Sequence, residues 1–322
     1  FCATNLETGI DFIITGVVKS EGAIALPAGV FKEITSSFSG NGTLTIEQTG
    51  DTALISSGSA KSTIKTLPYD DFPTLSIPES PNTSFSLSGV ILRDLLQSVA
   101  SCASPSTVRP ELASILLSAE GGIVKAVATD SFRLAEKKVS VGGKVSPFSI
   151  LIPAKNAIDI AQTLPDDEIT VNADTHQCSF SFSKGVVVTR LVSATYPDYT
   201  QIIPKSFMAE ATILKKDFEA GLRRASVFTD SFQKVRLGID VGNKQVTLSA
   251  QNNDVGESTE SFPVAVTGEG LELSFNHRYL QGPLPLISTE SISLSAAGIG
   301  RPLVIRGQGD TSFLYLVMPM NQ

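Results

Sequence analysis

The chain has 322 residues, of which 42% are hydrophobic and 18% charged, so it can bury sizeable cores, and its length favours two or three domains. It carries 25 Lys and Arg against 32 Asp and Glu, a formal net charge of −7, which excludes a generally basic protein that grips nucleic acid tightly. Its apolar runs stay below the roughly 18 residues of a membrane span, so we expect a soluble protein with no membrane partner.

The cysteines and the first residues of the sequence indicate the cellular compartment of the protein. Cys2, Cys102 and Cys178 are odd in number and widely spaced, which predicts neither a disulfide framework nor a zinc site. The start of the sequence shows no basic segment followed by an apolar one. We therefore expect a cytoplasmic protein.

Taken in chain order, the hydrophobic pattern predicts helices separated by short strands. The helices are predicted at about 27–38, 90–100, 154–164, 214–225 and 276–282. In the fourth, Leu214, Phe218 and Leu222 recur at a spacing of three to four residues, while Arg223 and Arg224 fall on another side. Stretches such as 44–48 and 185–192 are typical of strands. The class predicted is α+β, with antiparallel sheet and two helices in each module.

A dipeptide ending in Pro recurs along the chain at a regular spacing and indicates three similar modules. Phe72-Pro73, Tyr196-Pro197 and Met318-Pro319 each close an extended apolar stretch, at a spacing of about 125 residues. Pro-bearing connectors follow the first two of these dipeptides. We therefore predict domains at 1–82, 83–208 and 209–322.

The first module has fewer residues than the second when the two are aligned by the repeat. The second begins near Phe85, well before its Ala128, whereas the matching Ala3 has only two residues ahead of it. The repeat therefore predicts that roughly 40 residues of the first domain precede Phe1 in the natural protein.

The sequence shows no pattern of catalytic or metal-ligating residues that would indicate an enzyme. His176 and His277 are the only histidines, neither stands in a metal-ligand spacing, and both are predicted to be surface residues. We predict no catalytic residue, no metal site and no cofactor. A serine hydrolase remains the enzymatic alternative, although the sequence has no G-x-S-x-G motif. A β-rich adhesion or scaffold array is the structural alternative.

Four segments together carry a resemblance to a known family. They are ATDSFRLA at 128–135, YPDY at 196–199, SFNHRYL at 274–280 and YLVMPM at 315–320. In order and spacing they resemble the bacterial DNA sliding clamp, the β subunit and processivity factor of DNA polymerase III. The resemblance covers essentially the whole chain. It implies three clamp domains per subunit, and a homodimer closed head to tail around double-stranded DNA.

A ring of this kind would explain the acidic composition, because enclosure replaces tight binding. Non-specific contacts of basic side chains with duplex DNA have dissociation constants of ~10⁻⁴ to 10⁻⁶ M and permit sliding. We expect the DNA-facing residues to be Arg109, Lys155, Lys216, Arg223, Arg224 and Arg278. The alternative for each is an ordinary solvated helix charge, since acidic residues interleave with them.

The resemblance also implies a hydrophobic pocket for short peptide motifs of partners, namely the DNA polymerase III catalytic subunit, the clamp loader and repair polymerases. Carried over position by position, its lining is Leu112, Thr129, Phe132, Arg133, Leu134, Pro197, Gln201, Ile202, Phe232, Asn276, Tyr279, Pro302, Leu316, Met318, Pro319 and Met320. The alternative for Leu134, Ile202 and Leu316 is a plain core position.

The chain departs from the family pattern at three places near this pocket. The family often has a small residue followed by His at Ser131-Phe132, a basic residue at Gln201, and Arg-Leu where Asn321-Gln322 stand. These differences bear on which peptides the pocket prefers.

Ring closure depends on a further predicted element, an edge strand of the first domain. The stretch 61–66 should form this strand, with Lys61, Ile64 and Lys65 at the dimer interface. Acidic residues of the third domain would meet it across that interface, and these are Asp254, Glu257 and Glu260. An exposed strand with Lys is equally typical of an edge guarded against aggregation.

Overall fold

The structure is a computed structural model that describes residues 1–38, 42–73, 76–141 and 145–320. It divides into two compact units, one formed by residues 1–77 and 183–188, the other by residues 78–182 and 189–322. Strands pair antiparallel within both units, and helices are few, which confirms the predicted α+β class. No helix within the described ranges is long and apolar enough to span a membrane.

The first unit contains a three-stranded sheet covered by one helix. Its elements up to residue 77 are β1 Cys2–Thr4, β2 Thr8–Phe12, α1 Ala28–Ser37, β3 Leu44–Thr49, β4 Thr52–Ser57 and β5 Ala60–Lys65. The order β3-β4-β5 leaves β5 at an edge, as predicted for the stretch 61–66. Gly50 and Gly58 each have φ +59°, a left-handed conformation that the tight turns between these strands require.

Ile64 lies in the core of this sheet. It is 4% exposed and packs with Ala53 and Ile55, while Phe31 and Ile34 of α1 cover them. Strand alternation places Lys61 and Lys65 with exposed side chains, whereas Ile64 points inward. Ile64 therefore offers only its backbone at the sheet edge, and its predicted place at the dimer interface stays a prediction.

The second unit holds most of the remaining elements. They are β6 Thr83–Ser88, α2 Gly89–Ala100, β7 Ser114–Glu120, β8 Ile123–Thr129, β9 Arg133–Ser140, β10 Phe148–Pro153, α3 Ala154–Thr163, β11 Glu168–Ala173, β12 Gln177–Phe182, a 3-10 helix Tyr199–Ile202, β14 Ala209–Leu214, α4 Lys215–Ser226, β15 Lys234–Asp240, β16 Gln245–Asn252, β17 Gly256–Pro263, β18 Ala265–Gly268, β19 Leu271–Asn276, α5 His277–Gln281, a 3-10 helix Leu284–Leu286, β20 Ser291–Ala296, β21 Leu303–Gly307 and β22 Phe313–Val317. Strand β13, Gly185–Arg190, comes after β12, and its residues up to Val188 belong to the first unit.

A nine-stranded sheet joins the predicted second and third domains within this unit. Its order is β10-β7-β8-β9-β22-β21-β20-β14-β18, so β9 of one domain pairs with β22 of the next. Leu134 and Leu316 lie opposite each other in this pairing and are buried in one core cluster. Their burial fits the plain core alternative, and their place in the pocket lining stays a prediction. The core alternative is wrong for Ile202, which is 46% exposed.

The five predicted helices correspond to α1 through α5, and their ends differ by at most one residue. Helix α4 packs on the sheet β17-β16-β15-β19 through Phe218 and Leu222, which are fully buried. Gly221 permits this close approach, because a Cβ there would lie 2.5 Å from the ring of Phe262. The opposite face of α4, with Arg223 and Arg224, is exposed.

Candidate peptide site and DNA-facing residues

The junction between β9 and β22 brings the central residues of the predicted peptide pocket together. Val317 lies opposite Arg133 in the pairing, and the Met318 amide donates to the Phe132 carbonyl at 2.8 Å. The Met320 amide donates to the carbonyl of Ser274, next to the α5 region, at 2.7 Å. Segments far apart in sequence therefore lie side by side here.

Asp130 organises the turn that precedes β9. Its Oδ1 accepts hydrogen bonds from the amides of Phe132 and Arg133, and its Oδ2 accepts one from Arg133 Nε, all at 2.9 Å. Thr129 Oγ1 closes the turn by donating to the Arg133 carbonyl at 2.7 Å. Ser131 takes a left-handed conformation with φ +78°. The turn leaves the Phe132 ring 61% exposed, which makes it available as an apolar contact.

Arg133 links this turn to α5. Its guanidinium lies 4.6 Å from the centroid of the Tyr279 ring, a cation–π contact. The Tyr279 carbonyl in turn accepts a hydrogen bond from Tyr315 Oη at 2.8 Å. Burial is the largest influence and opposes the charge on Arg133, but the hydrogen bond to Asp130 and the neighbouring acidic groups together outweigh it, so the pKa of Arg133 is raised. Arg133 is thus a fixed, half-buried cation.

A second turn presents Phe232 beside the same surface. Asp230 Oδ1 accepts from the Phe232 amide at 2.9 Å and from the Lys234 amide at 3.1 Å. Asn276 Nδ2 donates to the Phe232 carbonyl at 3.5 Å. The Phe232 ring is 69% exposed. Phe132 and Phe232 therefore stand on turns of related design.

Sequence reasoning missed both aspartates, although a signal was present. The tetrapeptide Thr-Asp-Ser-Phe occurs at 129–132 and again at 229–232. An Asp two residues before an exposed aromatic is typical of a turn in which the carboxylate accepts the aromatic residue's amide. This repetition could have identified Asp130 and Asp230 as residues that position the site.

Other predicted pocket residues lie on the segment that begins at Pro197. Pro197, Gln201 and Ile202 are exposed, and Gln201 Nε2 donates to Asp198 Oδ2 at 2.9 Å. Tyr199 fastens the segment to β9, because its Oη donates to Glu136 Oε2 at 2.6 Å. Tyr199 and Met318 pack on the same core cluster, which places this segment near β22.

The remaining predicted lining residues are less exposed. Leu112 and Thr129 are buried, at 5% exposed each. Pro302 and Pro319 are half-buried. The departure at Asn321-Gln322 lies outside the described residues.

His277 is buried, although the sequence predicts both histidines at the surface. Only His176 is exposed, whereas His277 is 8% exposed. His277 begins α5, and its amide donates to the Gln233 carbonyl at 2.9 Å. Its Nδ1 is buried without a hydrogen-bond partner among the described residues. Burial, and then the charge of Arg278, lower the pKa of this histidine.

The predicted DNA-facing residues are all exposed, but several are paired. They lie on α3 (Lys155), on α4 (Lys216, Arg223 and Arg224), on α5 (Arg278) and in the loop before β7 (Arg109). Arg109 Nε contacts Glu111 at 2.9 Å, and Arg223 lies 3.7 Å from Glu219. Arg223 and Arg224 also lie in the last turn of α4, where the negative end of the helix dipole favours positive charge.

Arg224 and Glu260 contact each other, although the sequence predicts them for different surfaces. Arg224 Nε donates to Glu260 Oε2 at 2.8 Å, and a second bond joins Nη2 to Oε1. The hydrogen bond to Glu260 raises the pKa of Arg224. Strand β17, which carries Glu257 and Glu260, is an edge strand of its sheet, and Asp254 and Glu257 are exposed. The charge of Glu260 is thus partly neutralised inside the subunit.

Three family models match successive segments of the chain and show the family to which it belongs. The N-terminal, central and C-terminal domains of the DNA polymerase III beta subunit match residues 1–76, 86–198 and 200–321. The chain belongs to this family of bacterial sliding clamps. The clamps of the family are non-catalytic processivity factors, so the function and the three clamp domains that the sequence predicts are confirmed, and the hydrolase and adhesion alternatives are wrong.

Relatives and solved structures agree. A beta sliding clamp of Synechococcus elongatus is 28% identical over 99% of this chain and 86% of its own length. The clamp of Escherichia coli K12 is 26% identical over 93% of this chain and 82% of its length. The beta subunit of Thermotoga maritima matches with a TM-score of 0.92 at 25% identity, covering 100% of this chain and 88% of that one. The domain boundaries and the segment predicted before Phe1 stay predictions.

Proposed function

We propose that this clamp encircles double-stranded DNA as a head-to-tail homodimer and works in the cytoplasm with the replication machinery. The observation that carries the proposal is the β9–β22 pairing, a ladder that joins two consecutive clamp domains through strand edges. The edge strands β5 and β17 offer the same kind of joint between subunits. Lys61 and Lys65 on β5 would then face Asp254 and Glu257 of the partner subunit.

The charge distribution supports topological retention rather than tight binding. The chain is acidic overall, and three of the arginines proposed to face DNA form ion pairs with glutamates. Lys155, Lys216 and Arg278 are exposed on helices and would supply weak phosphate contacts. Such contacts carry no base information, so the clamp would slide without sequence preference.

The test of this function is retention on DNA of different topology. The clamp is loaded on a nicked circular plasmid by a clamp loader, and gel filtration separates bound from unbound protein. We expect the clamp to stay on the circle and to leave after a single restriction cut. Equal retention on circular and linear DNA would mean that adhesion holds the protein.

We also propose that the surface around Arg133 receives short peptide motifs from the DNA polymerase III catalytic subunit, the clamp loader and repair polymerases. The exposed Phe132 and Phe232 rings supply apolar anchors, and Met318 and Met320 give an adaptable floor. Arg133 is held in place by Asp130 and Tyr279, so little side-chain entropy is lost on binding.

Competition tests this second part. If one surface serves several partners, the catalytic subunit and the clamp loader should displace each other from immobilised clamp. Simultaneous binding of both proteins to one clamp site would contradict a shared pocket.

A further inference from the structure

The outer edge of the nine-stranded sheet at β10 is open for part of its length. Strand β10 pairs with β7 on one side only. On the other side the Val192 amide donates to the Leu151 carbonyl at 2.9 Å, so Leu151 directs its backbone groups outward. Because backbone direction alternates along a strand, Ser149 directs its amide and carbonyl outward as well.

Three backbone groups at this edge lack a partner within the described residues. They are the Ser149 amide, the Ser149 carbonyl and the Leu151 amide. Pro147 and Pro153, which have no amide hydrogen, bracket this short stretch. Prolines at these positions limit the edge to a few residues and so hinder open-ended strand pairing.

A groove of about 880 Å³ runs beside this edge. Its lining includes residues 147–151 at the β10 edge and residues 191–199. Of the residues predicted for the peptide pocket, only Pro197 lines it. The Phe148 ring stacks on Phe85 with centroids 4.9 Å apart, which holds β10 in place. Apart from Pro197, the groove is thus lined by other residues than those predicted for the peptide pocket.

The charged side chains that line the groove are both acidic. They are Asp174 and Asp198, and the described lining includes no Lys or Arg. Hydrogen bonds from Thr200 and Gln201 lower the pKa of Asp198, so it stays ionised at neutral pH. The groove thus combines unpaired strand hydrogen-bonding groups with negative charge.

We propose that this groove binds an extended, cationic peptide segment of a partner protein, which adds as a short strand to β10. Two donors and one acceptor at alternate positions match the backbone of about three to four peptide residues, given ~3.3 Å per residue. Lysine or arginine side chains of the segment would face Asp174 and Asp198. The site would let a partner bind while the surface around Arg133 is occupied.

Amide hydrogen exchange, followed by NMR on the intact clamp, tests the proposal directly. The probe is acetyl-Lys-Val-Lys-Val-Lys-Val-amide, compared with the same peptide carrying Glu in place of Lys. We expect the lysine peptide to slow exchange of the Ser149 and Leu151 amides by roughly tenfold or more, and the glutamate peptide to leave them unchanged. Protection at Phe132, Arg133 or Met318 instead, or equal protection by both peptides, would overturn the proposal.

Two variants distinguish the contribution of the Ser149 amide from that of the Ser149 side chain. Ser149→Pro removes the outward amide while leaving the inward pairing with β7 intact, and Ser149→Ala keeps that amide. We expect Ser149→Ala to bind the lysine peptide as the parent does, and Ser149→Pro to lose binding about tenfold. An N-methylated form of the peptide provides the same loss without changing the protein. Unchanged binding of the N-methylated peptide would sink strand addition.

Discussion

The two Thr-Asp-Ser-Phe turns have identical sequences but different backbones. In the first, Ser131 takes the left-handed conformation, and β9 begins directly after Phe132. In the second, the left-handed residue is Gln233, with φ +60°, and β15 begins one residue later. Both aspartates accept the amide of their phenylalanine. The shared tetrapeptide therefore fixes the aspartate bond but not the course of the chain after it.

The residue immediately after each tetrapeptide explains the difference. Arg133 bonds to the second oxygen of Asp130 and reaches Tyr279, so its backbone must turn immediately into β9. The second turn has Gln233 at this point, whose carbonyl accepts the His277 amide. The first turn thus adds an Asp130–Arg133 ion pair to its carboxylate–amide bonds, whereas the second has the carboxylate–amide bonds of Asp230, and we expect the two turns to respond differently to substitution.

The largest effect should come from removing the Asp130 carboxylate. Asp130→Ala deletes three hydrogen bonds and leaves Arg133 half-buried without its ion pair, so we expect a loss of about 3 kcal/mol in the free energy of unfolding. Asp230→Ala deletes two backbone bonds and should cost about 1–2 kcal/mol. Urea unfolding of both variants measures the difference. Equal losses would show that the ion pair adds nothing to the first turn.

Glycine substitution locates the left-handed residue in each turn. Ser131→Gly and Gln233→Gly should each stabilise the clamp by up to about 1 kcal/mol, because glycine adopts positive φ without steric strain. Ser231→Gly is the matched control and should destabilise by about 0.5–1 kcal/mol, since Ser231 does not have positive φ. Thermal unfolding of the three variants checks the signs. A stabilising Ser231→Gly would mean that the two turns share one geometry.

Acid should weaken the second turn through His277. Its pKa in the folded state is lowered, so the unfolded chain takes up a proton first as the pH falls below about 6.5. The stability that neutral His277 contributes is therefore present above that pH and is lost below it. We expect His277→Gln to show a smaller drop in unfolding free energy between pH 7.5 and 5.5 than the parent.

The exposed His176 provides the control for this pH dependence. His176→Gln should retain the full drop of the parent protein, because the side chain is exposed. If both variants behave alike, carboxylates rather than His277 set the acid sensitivity.

The smallest effect on stability should result from truncation of the exposed rings. Phe132→Ala and Phe232→Ala should each change the free energy of unfolding by less than about 0.5 kcal/mol, because neither ring is buried. Binding of the polymerase catalytic subunit, measured by surface plasmon resonance, should nevertheless weaken about tenfold or more for each. Unaltered binding by both variants would remove the phenylalanines from the proposed pocket.

Part of the site was predictable and part was not. Hydrophobic periodicity located the five α-helices that the structure describes, and motif order identified the surface around Arg133. The burial of Ile64 and His277 was not foreseen, because a lone apolar or imidazole side chain does not reveal which face of its element is covered. The Arg224–Glu260 pair joins a helix to an edge strand, and no local pattern predicts such a contact.

The amino-acid sequence by itself determined the repeated modules, because the same dipeptides recur along it. It also determined the helix faces and the aspartate-capped turns, since these depend on residues a few positions apart. Only the tertiary structure decided the pairing of β9 with β22, the stacking of Arg133 on Tyr279 and the left-handed residue in each turn. Each of these depends on partners more than a hundred residues away or on the next strand of the chain. Their free energy comes from packing and hydrogen bonds that exist only once the chain has folded.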